Sequence, residues 1–579
     1  MSGRFCFWSV PILLLFLAQA VIVHRYGVDI PYHDEFITPG HLLFEMTRGH
    51  FVWQNLWVQH NDARLLVPKL LWVLQAFSVG WSIKFWMYVS VALAALESWL
   101  LCKFLSGEGA VTSVHRWLYA GFFGLLLLHP ANAPGTFLRG SQYIAVVPAV
   151  LLVAGHYLYS KPFELRSKLI IYFCLSALGT FTFSNGLALW LLLFPFPQVI
   201  ASWRAALAAE KKRIAWSAAF AALAGLVIVL CYFIGYRPYR PHGLSGDPQK
   251  LVPFFFSWVG APLAIRFGLG EVNVLGIIIA IISGAILLVL GILIWRSRNY
   301  QPLTKAWPWL MLILYGCVSG FAVALGRASM PGNEAQAGRY FLISLQLTIG
   351  VCGLLLFLLQ AGADGERQRP KVALLRTLAV FILICGIVPN LWAWGEGMKQ
   401  CHAHYLRMLN YEYTLSLWRE APDISPLPGF RVPVPPDLRV RYLALVDAGV
   451  IRDLSPRAWL TDALARARHA KPAGKVKLSG SGKGLRAEGS AIHPTYKTPF
   501  PAVITALVER DGSVAPVAVN LTKTLSGRPI QRVDRSPFNF GFNFRPFGSA
   551  PKQYSSLEDV VFFAIDLGRH EAYPLVVEH

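Results

Sequence analysis

Asp34 and Glu35 are adjacent carboxylates that follow Tyr32 and His33, and the same stretch between two apolar runs goes on to His60, Asn61, Asp62 and Arg64. Only 15% of the 579 residues are charged and 55% are hydrophobic, so this gathering of acid, imidazole and guanidinium groups is a place to look for proton transfer. A carboxylate in a partly dry pocket has its pKa raised toward that of a general base at neutral pH. Successive side chains diverge by about 100° on a helix and face opposite sides of a strand, so only one of the two carboxylates easily enters a given site. We read Asp34 as the catalytic base, with Glu35 and His33 in support. The plainer reading makes Asp34 a helix cap near the Thr38-Pro39-Gly40 turn.

Three more groups carry candidate substrate-binding residues. His60 and Asp62 precede an apolar helix, and Arg64 near a bilayer needs an anion, which a lipid phosphate supplies as readily as Asp62 does. Asp34, His60 and Asp62 are also donors that a divalent cation accepts, although their spacing is not diagnostic of a metal site. Gly326-Arg327 and Gly338-Arg339-Tyr340 flank one short loop. Guanidinium forks grip phosphate oxygens in pairs and stay charged, so Arg327 and Arg339, with Tyr340, suit a pyrophosphate or phosphodiester. The alternative is that both arginines snorkel to the headgroup level. Arg139, Gln142 and Asn185 complete the set, each in or beside a turn between apolar runs.

The elements that must position these residues are predicted to be membrane helices. Apolar runs occupy roughly 8–24, 84–102, 117–130, 142–158, 168–184, 187–203, 214–235, 272–294, 306–326, 340–360 and 372–394, which makes about eleven spans of an α-helical polytopic protein. Two stretches, 65–79 and 251–265, are ambiguous. If neither crosses and the N-terminus is cytoplasmic, every strongly basic short loop falls on one side, among them the cluster Arg204, Lys211, Lys212 and Arg213. Both stretches are therefore expected to lie on or dip into the outer face, with Lys69, Trp72 and Trp81 at the interface. The first run is read as a retained helix, because no small-residue cleavage pattern precedes His24 and Arg25. The formal charge of +22 then belongs to inside loops and argues against nucleic acid as a partner. Eight cysteines without a CxxC pair are read as packing residues.

On this topology five polar segments emerge on the outer face and can converge on one cavity: the first loop at 25–83, then 131–141, the Ser184-Asn185-Gly186 turn, 236–271 and 327–339. After Trp394 the apolar runs end. The domain plan is a helical membrane domain at 1–395, a helical connector at 396–472, and a β-rich extracytoplasmic domain at 473–579 whose alternating pattern predicts a β-sandwich, so that the C-terminal part is α+β.

The His60-Asn61-Asp62-Ala63-Arg64 stretch in a long first loop that also bears Tyr32-His33-Asp34-Glu35, with Gly326-Arg327 and Arg339-Tyr340 around a later loop, resembles the GT-C superfamily of integral-membrane glycosyltransferases over roughly residues 1–395. The resemblance implies transfer of a sugar, with inversion, from a polyprenyl-phosphate-linked donor to a glycan, lipid or protein acceptor of the cell envelope, on the outer face of a membrane. It also implies a bacterial inner membrane, with the N-terminus cytoplasmic and the C-terminal domain periplasmic or extracellular. Asp34 would take the acceptor proton, and Arg327, Arg339 and Arg64 would stabilise the departing lipid phosphate. The aspartate-rich sequon machinery of oligosaccharyltransferases is not visible in this chain, nor is a second acidic loop, and metal dependence stays open. Two other classes fit the same residues: a transporter or flippase of a lipid-linked or anionic substrate, and a noncatalytic envelope scaffold.

Overall fold

In the computed structural model eight helices, among the described residues, are long and apolar enough to cross a membrane, and a ninth span forms if the bent pair Arg376–Trp392 and Trp394–Tyr405 counts as one. The chain is a mostly helical, multi-pass membrane protein on that ground. The structure describes residues 7–32, 34–106, 113–237, 245–297, 301–330, 334–365, 369–416 and 438–452, then short helical pieces and seven strands as far as residue 578. Two units separate, Met1–His402 and Ala403–His579.

Three of the runs expected to cross form shorter helices, Val10–Tyr26, Ser113–Leu127 and Leu165–Thr180, of 17, 15 and 16 residues. At 1.5 Å per residue each falls somewhat short of a hydrocarbon core about 30 Å thick. The 251–265 stretch, expected to lie on the outer face, is instead the middle of a continuous 20-residue helix, Pro248–Phe267, which passes the same length and apolarity test as the other spans and packs along Val272–Ser297. Its Pro253 and Pro262 lower its appeal as a helix in the sequence, but Gly260 and Gly276 let the two backbones approach closely: a Cβ at Gly276 would sit 1.9 Å from the Phe256 carbonyl oxygen. Leu66–Val79, by contrast, has only 14 residues, about 21 Å of helix. It buries Lys69, Trp72, Gln75 and Ala76 while Leu70, Leu74, Phe77 and Val79 point outward.

The run at 187–203 falls within one of the eight candidate spans, Ser184–Ala205, which is made of three successive pieces, Ser184–Ala188, Leu189–Leu192 and Phe196–Ala205. Pro197 has no N–H for the Leu193 carbonyl, and the Phe196 amide turns to Phe194 instead of Leu192. Two side chains from the Tyr143–Tyr159 helix satisfy the freed groups: the Tyr159 hydroxyl donates to Leu193 O at 2.9 Å, and His156 Nε2 lies 3.1 Å from Leu192 O.

The long first loop is fastened to this scaffold at several points. Asp29 caps the Ile83–Ser106 helix, accepting from Lys84 N at 2.8 Å and from the Ser82 hydroxyl at 3.0 Å. Lys69 is 3% exposed and donates to the carbonyls of Asn55, Leu56 and Val58, which closes the C-terminal end of the Gln54–Trp57 helix. Beneath it Trp86 stacks on Tyr143 with ring centres 4.6 Å apart and donates to Gln75 Oε1 at 2.6 Å.

In the C-terminal unit the Leu438–Asp447 helix buries Leu438, Tyr442, Leu445 and Val446, one face at helical spacing. Seven strands pair into one sheet in the order Val514–Leu521, Ala502–Val508, Val560–Asp566, Glu571–Glu578, Gly474–Ser479, Arg486–Ala491 and Phe538–Asn543. All neighbours are antiparallel except the parallel pair Gly474–Ser479 and Glu571–Glu578. The predicted sandwich turns on segments between these strands that lie outside the described residues.

Candidate functional site

The two adjacent carboxylates have different surroundings. Glu35 is 2% exposed, and its oxygens accept from two backbone amides, Tyr32 N and Ser141 N, each at 2.7 Å. It thereby ties the first loop to the Gly140–Gln142 turn that opens the Tyr143–Tyr159 helix. Burial pushes its carboxyl up from 4.5 to about 7, against the lowering pull of those two amides and of the Arg139 guanidinium. A carboxyl that holds its proton more tightly when folded makes stability fall as pH rises between about 4.5 and about 7, and level off above that window. The drop expected for this one group is on the order of 3 kcal/mol. Thermal unfolding of the purified protein across that window should show the slope, and Glu35→Gln should remove most of it; a slope unchanged in the variant would contradict the assignment.

Asp34 is the open member of the pair, its side chain 35% exposed. Its Oδ1 lies 3.9 Å from His60 Nε2, and the other imidazole nitrogen meets the Thr38 hydroxyl. His60 sits on a tight turn closed by paired bonds to Ala63, His60 N to Ala63 O at 2.8 Å and the reverse at 2.9 Å, with Asn61 left-handed at φ 49° between them. Asparagine tolerates that conformation better than most residues.

Two arginines complete the cluster. Arg139 lies over the Tyr32 ring, 5.6 Å from its centre, within the electrostatic reach of Asp34, Glu35 and Arg339. Arg339 forms an ion pair with Glu334, lies over the Tyr340 ring, and also acts on Asp34. Asp34, Glu35, His60, Arg139, Arg339 and Tyr340 are therefore linked, by contact or by electrostatic reach, across three separate segments of the chain. A half-open carboxylate beside an imidazole, faced by two guanidiniums, can accept a proton from one group while stabilising negative charge on another.

The two arginine-bearing segments are joined through glycines. A Cβ on Gly135 would lie 2.3 Å from the Gly338 carbonyl carbon, so the backbones are in direct contact. Gly135→Ala must push the segments apart and separate Arg139 from Arg339. We expect it to lower the apparent melting temperature and any activity of the cluster together, while Gly284→Ala, with open space around its Cβ, serves as the control.

Behind the 129–142 segment stands a buried hub that reading the sequence for loop residues passes over. Arg266, 1% exposed, donates to Asn390 Oδ1, to Leu126 O at 3.0 Å and to Asn132 Oδ1 at 3.0 Å. His129 Nε2 lies 2.9 Å from Asn390 O, and its Nδ1 accepts from Ala131 N at 3.1 Å. With Nδ1 accepting from Ala131 N, the ring proton sits on Nε2 toward the Asn390 carbonyl. A lone arginine within an apolar run is the sequence signal that marks this hub.

Arg64, 2% exposed, donates to Tyr232 O at 2.5 Å, Trp57 O at 2.6 Å and Ile234 O, and lies against the Trp57 and Tyr232 rings, so its guanidinium is committed to the end of the Ala208–Phe233 helix. Asp62 receives the Tyr236 hydroxyl at 3.4 Å. Arg327 donates to Met330 Sδ at 3.2 Å. Gln142 sits half-buried just ahead of the Tyr143–Tyr159 helix. Asn185 faces Tyr315. His33 lies outside the described residues. Among the described residues no group of three or more His, Cys, Asp or Glu side chains is arranged to hold a metal ion. No protein-family model, curated protein or solved structure matches the chain.

Proposed function

We propose that this chain is a membrane glycosyltransferase of the GT-C type, moving a sugar from a polyprenyl-phosphate carrier to a glycan, lipid or protein acceptor on the outer face of the membrane, as one of about eleven-span architecture. The observation that carries the reading is the meeting of Asp34 and His60 with Arg139 and Arg339. Asp34 takes the proton of the acceptor hydroxyl as its oxygen attacks the anomeric carbon. The bond from that carbon to the phosphate oxygen breaks, and the electron pair leaves with the phosphate. Phosphate is already a good leaving group, so charge stabilisation matters more than protonation, and the two guanidiniums supply it. Single displacement inverts the anomeric centre.

One observation favours the transporter reading: Glu97 and Arg266 are buried within long apolar helices, where transporters keep their charges. Deleting the gene and profiling envelope glycans and lipid-linked sugars by mass spectrometry separates the two. The transferase reading predicts loss of a sugar-sized mass that wild type restores and Arg339→Ala does not. Confinement of an unmodified lipid-linked donor to the inner leaflet would favour the flippase instead.

A further inference from the structure

Glu97 lies in the middle of the Ile83–Ser106 helix and is 0% exposed. Charged side chains at such depth are rare and are retained where they bind or move something. Around it stand Gln346, 0% exposed, from the Phe341–Gly365 helix, and Tyr315 and Ser319 from successive turns of Gln301–Arg327. Both carboxyl oxygens of Glu97, the Gln346 amide oxygen, the Tyr315 hydroxyl and the Ser319 hydroxyl are shut off from solvent, and none closes a hydrogen bond of ordinary geometry. They are neighbours nonetheless: Gln346 lies against Glu97, Ser319 and Asn185 lie against Tyr315, and the Tyr315 hydroxyl is within the electrostatic reach of Glu97.

We infer that Glu97, Gln346, Tyr315 and Ser319 form an oxygen-lined site for one sodium-sized monovalent cation inside the helix bundle. The donor set is all oxygen, which suits a hard cation. It carries a single formal charge, so a monovalent ion leaves the buried site neutral whereas a divalent one leaves a net charge in a low-dielectric interior. A proton on Glu97 would let the carboxyl donate to a single acceptor, such as the Gln346 amide oxygen beside it; a cation draws the carboxylate, the amide oxygen and both hydroxyl oxygens together. The site is separate from the Asp34 cluster and does not depend on the transferase reading.

The test is thermal unfolding of the purified full chain in detergent, titrating sodium chloride against N-methylglucamine chloride at constant ionic strength. A ligand that binds only the folded state raises the melting temperature. The expected result is a saturable rise of a few degrees with sodium that Glu97→Gln abolishes. Should that variant not fold, Ser319→Ala, which removes one neutral ligand, is expected to shift the half-saturating sodium concentration upward severalfold. Equal melting temperatures in the two salts, a rise retained by Glu97→Gln, or an unmoved midpoint in Ser319→Ala would each overturn the site. So would stabilisation by acid with no sodium effect, since the carboxyl would then hold a proton.

Discussion

Asp34→Asn is expected to lower sugar transfer by about 10²–10⁴-fold at neutral pH, the range that a positioned general base contributes. The fold should survive, because Asp34 is partly open and the neighbouring anchor is Glu35, whose two backbone bonds the substitution leaves intact. Unfolding free energy should stay within about 0.5 kcal/mol of wild type, as for other exposed positions away from packing. The loss should fall on the rate of transfer rather than on donor binding, since the arginines that face the phosphate are untouched. Arg139→Ala should show the converse, weaker donor binding with a smaller loss in rate. Transfer assays with lipid-linked donor over a concentration series make that distinction, and equal turnover by Asp34→Asn would remove it from the mechanism.

Arg64→Ala is expected to cost stability on the scale of 3–5 kcal/mol, about the upper end for a single substitution. Three carbonyls, those of Trp57, Tyr232 and Ile234, lose a charged donor at once, and two aromatic rings lose the guanidinium packed against them. Arg64→Lys should recover less than half of the loss, because an ammonium cannot reproduce a planar fork reaching three carbonyls. The effect spreads to the site by a short path: His60 and its turn precede Arg64 directly, so loosening Arg64 also loosens the imidazole beside Asp34. Thermal unfolding of the two variants measures this, and a change under about 1 kcal/mol for Arg64→Ala would contradict the clamp.

How far the site could be read from residues alone follows from what signals they leave. The helical, membrane-crossing character is written in the length of the apolar runs, and the polar gathering around Asp34 stands out against them. Pro195 and Pro197 announce that the 187–203 run cannot be one straight helix, although which side chains would satisfy the freed carbonyls depends on the packing of His156 and Tyr159. Asp34 reads as the base with Glu35 in support, but Glu35 as a backbone anchor is not legible, because its partner is the backbone amide of Ser141, and a backbone donor has no side-chain signature. Arg64 reads as a lipid-phosphate ligand only while its distance from the Ala208–Phe233 helix end is unknown. Asn185 looks like part of an outer turn, yet it faces Tyr315 in the bundle because Gly179 and Gly186 bring the turn hard against the preceding helix. The convergence of Arg139 with Arg339 depends on the Gly135–Gly338 contact, and nothing in one sequence marks two glycines so far apart as neighbours.

The most direct measurement starts from membranes of a deletion strain, which hold unused donor and unmodified acceptor together. Purified wild-type protein is added to them, and lipid-linked sugars and envelope acceptors are followed by mass spectrometry alongside an Asp34→Asn control. The mechanism predicts that a sugar mass leaves the polyprenyl phosphate and appears on a second molecule with wild type, and that Asp34→Asn moves almost none. A lipid-linked donor left unchanged by wild type, or consumed equally by Asp34→Asn, would contradict it.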